Sequence, residues 1–249
     1  MINLSVISMA VSAIFLLVGG LAIYKSWKKK NDNLLKYFAI FFLGYGVMHS
    51  LLAVGALFSV SNSFLAGICY VIAHFFLFTT TAFFLRLPLR TLFPKFEKPV
   101  FYVVLIGALL STAMIIKEIP LPFFDNGITN WNVGENAMKA AITFSGITLL
   151  ALVIFFIIAA VKSTEKIYKV RSIVFALGIF VFLTGGPLHN AATNNFQYLL
   201  ADVLTPVATL ILLFGVYLPY LKNKNKIEEA IEVKDEVNHE AEIKVNFRI

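Results

Sequence analysis

The sequence predicts an all-α polytopic membrane protein with seven transmembrane helices, and three observations carry that prediction. Apolar residues make up 59% of the 249-residue chain and charged residues only 14%, where a soluble domain carries about a quarter charged. The apolar residues form seven long runs, each near the ~20 residues a helix needs to cross ~30 Å of hydrocarbon. The basic residues gather between alternate runs, as the positive-inside rule places them in cytoplasmic loops.

Taken in order, the runs cover about 4–24, 37–58, 64–85, 99–116, 139–161, 172–192 and 197–218. The first has no basic n-region and no small-residue cleavage site, so it reads as a retained span rather than a signal peptide. Lys25, Lys28, Lys29, Lys30 and Lys36 separate spans one and two. Arg86, Arg90, Lys95 and Lys98 separate three and four, and Lys162, Lys166, Lys169 and Arg171 separate five and six. Lys222, Lys224 and Lys226 follow span seven, whereas the opposite side carries only Lys117 and Lys139. The expected orientation is N-terminus outside and C-terminus cytoplasmic.

The segment 118–137 is the one substantial outer loop. Its Asp125-Asn126-Gly127 turn signal, with Pro120, Pro122 and Trp131, points to an ordered lid or short interfacial hairpin. A plain connector is the simpler alternative. Residues 1–221 form the expected transmembrane domain. Residues 222–249 mix acidic and basic side chains without an apolar face, which predicts a disordered cytoplasmic tail. That tail is too short for a kinase or cyclase output domain.

A net charge of +7 could suggest nucleic acid, but its placement at helix ends identifies the bilayer as the partner. The single cysteine, Cys69, lies within an apolar run and permits neither a disulfide framework nor a CxxC site.

Spans one to three and five to seven share a direction, with span four inverting between them. Local echoes suggest a parallel 3+1+3 repeat: Lys25-Ser26 with Lys162-Ser163, Gly46-Val47-Met48-His49 with Gly186-Pro187-Leu188-His189, and Leu87-Pro88-Leu89 with Leu218-Pro219-Tyr220. Such a repeat would put a site between the halves. The layout resembles microbial rhodopsins and sugar-transporter bundles. Span seven contains no lysine, which excludes a retinal Schiff base.

Ionisable residues within spans face a bundle interior or watery cavity by default, and here they are His49, His74, His189 and Asp202. On an ideal helix His49 and His74 fall near the midplane, with His189 and Asp202 roughly 7–10 Å further out. Helical spacing joins Tyr45 to His49, and Gly67, Tyr70 and Thr81 to His74. It also joins Thr205 and Thr209 to Asp202 and makes a stripe of Ser5, Ser8 and Ser12, with Thr143 adding span five. The expectation is an outward-opening polar pocket over an aromatic and aliphatic floor, lined by Tyr45, His49, Tyr70, His74, His189, Asp202 and Thr205.

Each group has a plainer reading. Hydroxyls in membrane helices bond their own i−4 carbonyls. Gly44, Gly46, Gly178, Gly185 and Gly186 allow close helix approach. Pro187 and Pro206 kink their helices and free carbonyls for a ligand. Histidines can serve packing alone.

The chemistry the pocket suggests is binding of a small molecule or metal, in a receptor, transporter or redox component. His49, His74, His189 and Asp202 could hold a transition metal, or histidines among them a b-type haem, although no HxxxH or HExxH spacing is present. One alternative is a zinc-dependent seven-helix lipid hydrolase, of which the ceramidase and adiponectin-receptor type is an example. The chain lacks the paired HxxxH of that type. The other alternative is an assembly protein whose histidines only pack. Binding or transport is favoured over catalysis.

Overall fold

The computed structural model describes residues 3–192, 194 and 196–219, excepting the side chains of residues 187 and 189–191. Seven long helices account for nearly all of it: α1 (Leu4–Lys30), α2 (Asn33–Phe58), α3 (Ser63–Leu92), α4 (Glu97–Lys117), α5 (Glu135–Lys162), α6 (Lys166–Ala191) and α7 (Phe196–Pro219). All seven are long and apolar enough to cross a membrane. The expected tail, 222–249, lies outside the described residues.

Most helices run beyond the apolar spans, mainly at the lysine-bearing ends. Lys28, Lys29 and Lys30 occupy the last turn of α1, where cations complement the helix dipole. Asn31 then stops the helix at φ 51°, in the left-handed region, with its N–H on the Trp27 carbonyl. Starts are set by short polar side chains: Asn3 accepts from the N–H groups of Ser5 and Val6, Asp32 from Leu34, and Asn62 from Leu65. Pro88 does not end the third helix as the local echo suggested; it sits inside α3, which continues to Leu92.

α2 is the central helix. It packs on α1 and α3, and the phenylalanines near its lysine-bearing end reach α5 and α6. Phe38 lies 4.4 Å from the Phe175 ring, 5.0 Å from Phe84 and 6.3 Å from Phe156. Phe41 adds Phe84 and Phe182. α7 closes the bundle against α1, where Gly19 faces Leu213, and against α6, where Gly178 faces Leu212 and Gly215 faces Phe175. α4 is peripheral, contacting α3 and α5. Arg86 of α3 is tied to Glu97 of α4 at 2.6 Å. Large apolar side chains such as Ile14, Val18, Val103, Leu110 and Ile154 stay exposed around the outside, as lipid contact requires and water would not favour.

The segment after α4 is a hairpin. Strands β1 (Phe123–Asp125) and β2 (Ile128–Asn130) pair antiparallel, with Asp125 opposite Ile128. Asn126 (φ 45°) and Gly127 (φ 87°) make the turn, the pair of positive φ values that a type I′ hairpin needs. The plain-connector alternative is thus set aside.

Two of the three echoed pairs occupy unlike settings. Ser26 bonds the Ala22 carbonyl inside α1, while Ser163 caps α5 and bonds the Glu165 carbonyl. A side chain at Gly46 would meet Leu17, whereas one at Gly186 meets nothing within 4 Å among the described residues beyond its chain neighbours.

Candidate functional site

The hairpin is stitched across one end of the bundle. Asn3 Nδ2 donates to the Ala56 carbonyl at 3.1 Å and to Thr129 Oγ1 at 2.9 Å. Ser59 Oγ donates to the Ala56 carbonyl and lies 3.2 Å from Thr129 Oγ1 of the hairpin. Thr129 N–H donates to Ser5 Oγ, and Leu4 N–H to the Gly127 carbonyl. Gly67 at the start of α3 lets the Pro120 carbonyl approach where any Cβ would collide. These contacts bring Trp131 down as a buried wedge, with its ring 5.2 Å from Tyr70 and against Gly55. Sequence reasoning assigned Trp131 to the interface, where amphipathic rings commonly sit; the hairpin turns it inward instead.

Beneath this roof lies a cavity of about 150 Å³. It is lined by Ser8, Met9 and Ser12 of α1; Tyr45, Met48, His49 and Leu52 of α2; Tyr70, His74 and Leu77 of α3; and Trp131. Ser145 and Leu149 of α5, Phe182, Leu183, Gly185 and Gly186 of α6, and Ala201, Asp202 and Thr205 of α7 complete it. Six of the seven expected pocket residues, Tyr45, His49, Tyr70, His74, Asp202 and Thr205, therefore share one cavity. The side chain of the seventh, His189, lies outside the described residues.

Both imidazoles are oriented by their own helices. His49 Nδ1 lies 3.0 Å from the Tyr45 carbonyl and His74 Nδ1 2.9 Å from the Tyr70 carbonyl. A carbonyl can only accept, so in the neutral ring Nδ1 carries the proton and Nε2 keeps its lone pair. The His74 ring also stacks on Tyr70 at 3.9 Å. Asp202 is close enough to His49 for electrostatic interaction.

Hydroxyls divide into two sets. Ser12 Oγ donates to the Ser8 carbonyl, Thr209 Oγ1 to Thr205 and Thr81 Oγ1 to Leu77, the back-bonding that membrane hydroxyls commonly adopt. With its proton so used, Thr81 accepts from the Tyr45 hydroxyl at 3.0 Å. Ser8 does something different. Pro206 has no N–H to offer the carbonyl of Asp202, four residues earlier, and Ser8 Oγ donates to that carbonyl at 2.8 Å. The carbonyl freed by proline is thus taken by α1 rather than left for a ligand.

In the second set, the hydroxyls of Tyr70, Ser145 and Thr205, together with His49 Nε2, make no protein hydrogen bond among the described residues. Tyr70 and His49 are buried, and Ser145 and Thr205 half-buried.

Several expectations change. Thr143 is exposed, and Ser145, two residues on, takes the α5 position in the cavity. Ser5 serves the hairpin rather than the cavity. Gly44, Gly46 and Gly178 do allow close approach, to Thr80, Leu17 and Leu212 respectively. Gly185 meets only ordinary contacts and Gly186 open space; both line the cavity. Met9, Met48 and Phe182 went unread because apolar residues surround every helix and mark no face.

The cavity is confined to the hairpin half of the bundle. Toward the lysine end its Tyr45 and Phe182 pack on Phe41, and the Phe41, Phe84, Phe156 and Phe175 rings are all buried. Among the described residues no group of three His, Cys, Asp or Glu side chains is placed to hold a metal ion. No protein-family model matches the chain, and no curated protein matches it.

Proposed function

We propose that this is an integral membrane protein that binds a small organic ligand in the roofed cavity, as a receptor or the binding stage of a transporter. One observation carries the reading. Tyr70, Ser145, Thr205 and His49, whose polar atoms named above have no protein partner among the described residues, line one cavity of ring-sized volume from four helices. An unsatisfied buried polar atom costs about 1–3 kcal/mol, and such atoms in a folded protein point to a ligand or ordered water that uses them. The aromatic floor supports binding over a continuous permeation path.

The hairpin end faces outside in this reading, with the N-terminus out, because the lysine-rich loops belong in the cytoplasm. Modification of Asn126→Cys in a Cys69→Ser background by a membrane-impermeant thiol reagent checks this. Labelling is expected in intact cells; labelling only after lysis would invert the topology. The parallel repeat is supported by the shared direction of α1–α3 and α5–α7 with α4 between them, not by the local echoes.

A metal version would use His49, His74, His189 and Asp202, and the Nε2 lone pair of His49 suits it. A volume of about 150 Å³ is the scale of a single aromatic ring, which disfavours a haem macrocycle. The reading of histidines that only pack draws on their back-bonded Nδ1 atoms, but it leaves the four unpaired polar atoms without a role.

The test is a melting-temperature screen of the full-length protein against ring-sized fragments. Stabilising fragments are expected for wild type and lost in Ser145→Leu, which fills the cavity from α5 while retaining helix propensity. A library that stabilises neither protein, or both equally, would overturn the proposal.

A further inference from the structure

We infer that the cavity selects an aromatic molecule whose ring carries an O–H or N–H donor, and that His49 is the residue that receives this donor. This deepens the proposed function and rests on it. Protons are unevenly distributed over the polar lining. On α1 and α2, the polar side chains that line the cavity are Ser8, Ser12, Tyr45 and His49, and each has its proton engaged. Ser8 Oγ donates to the Asp202 carbonyl and Ser12 Oγ to the Ser8 carbonyl. The Tyr45 hydroxyl donates to Thr81, whose own proton is on the Leu77 carbonyl. In the neutral His49 ring, the Nδ1 proton is on the Tyr45 carbonyl. Toward a ligand, these four side chains offer acceptors only.

His49 has the most to gain from a donor. Ser8, Ser12 and Tyr45 each make one hydrogen bond through the hydroxyl, whereas His49 Nε2 makes none among the described residues. The residue is only 5% exposed, and a buried acceptor left without a partner is costly. The remaining helices are less selective. Tyr70 of α3, Ser145 of α5 and Thr205 of α7 carry hydroxyls without a protein hydrogen bond among the described residues, and a hydroxyl can donate or accept. A hydroxyl on the ligand meets both demands: its proton goes to His49 Nε2, and its oxygen accepts from one of these three. An ether oxygen can use only the second set.

The preference for an aromatic ring comes from the two ends of the cavity. Trp131 rests on Gly55, which on the helical rise lies about 15 Å from Tyr45 along α2. Trp131 pairs with Tyr70 at the roof, and Tyr45 with Phe182 at the floor, each with ring centroids 5.2 Å apart. His49 stands on α2 between the two pairs. Aromatic surfaces favour a further aromatic ring beyond its buried area alone.

The experiment compares phenol, anisole and toluene on the detergent-solubilised full-length protein at neutral pH, where a phenolic hydroxyl keeps its proton. Anisole retains the ring and oxygen but lacks the donor, and toluene has neither polar function. Calorimetric titration, corrected for uptake by protein-free micelles, is expected to give phenol an affinity about tenfold above anisole. In His49→Phe, which keeps a ring but no acceptor, that advantage is expected to fall to about twofold or less, with toluene changed by less than about twofold. His49→Gln, whose amide oxygen can accept in place of Nε2, is expected to recover part of the phenol preference. The wild-type ranking stands whether or not the variants fold. If anisole equals or exceeds phenol on wild type, donor selection is wrong while the binding cavity survives. If phenol leads but keeps its full advantage in a folded His49→Phe, the assignment to His49 is wrong. Binding of none of the three overturns the inference, and the fragment screen with Ser145→Leu then judges the cavity itself.

Discussion

Gly67→Ala is expected to melt below Gly146→Ala by an amount corresponding to about 1–3 kcal/mol, the usual cost of overpacking. Both replacements, within α3 and α5, gain the same helix propensity, about 0.8–1.0 kcal/mol, so the difference isolates what each new methyl touches. At Gly67 it meets the Pro120 carbonyl, a backbone atom in a loop held by Asn3, Ser5 and Ser59; at Gly146 it meets nothing within 4 Å among the described residues. A flexible side chain could step aside, but this carbonyl can move only if the hairpin lifts. Because the same segment carries Trp131, Gly67→Ala should also weaken retention of any ring-sized ligand. Equal melting temperatures for the two variants, measured in one detergent, would show that the loop is not seated on α3 as described.

Ser8→Ala is expected to cost about 1–3 kcal/mol in the wild-type background, because it strips the Asp202 carbonyl of its donor. The same substitution should cost under about 0.5 kcal/mol in a Pro206→Ala background. There the restored N–H closes the helix bond, and the Ser8 hydroxyl becomes dispensable. The coupling between the two positions, obtained from the melting of all four proteins, should be about 1 kcal/mol or more. Additive effects would mean that Ser8 and Pro206 do not share this carbonyl.

The number and rough positions of the helices were legible because each is a long apolar run; their ends were less so, because most helices continue past the run into lysine-bearing turns. The hairpin was legible from Asn126-Gly127, the one pair whose backbone preferences select that turn. Six pocket residues could be found because a polar side chain in a membrane helix is conspicuous, and the helical repeat says which of them share a stripe. What could not be read was the direction of a stripe. Where every face of a helix is apolar, nothing in α5 separates Thr143, which is exposed, from Ser145, which lines the cavity. Gly185 and Gly186 resemble the packing glycines in sequence and differ only in what stands opposite them. Trp131 depends on a loop path fixed by Asn3, Ser5 and Gly67, residues far away in the chain. Ser8 and Pro206 were each noticed, but their relation through one carbonyl exists only once α1 lies beside α7.

That relation also sets an order of assembly. Asn3 and Thr129 are 126 residues apart, and Ser8 and Asp202 are 194 apart. At roughly 5–20 residues per second during synthesis, α1 waits on the order of ten seconds or more in the membrane before α7 emerges. Through that interval the Ser8 hydroxyl lacks its long-range acceptor, and the hairpin stitches arrive only midway. The nascent chain therefore inserts α1 first and completes its contacts last. A ribosome that stalls before Pro206 would leave a bundle with its roof in place and one wall missing.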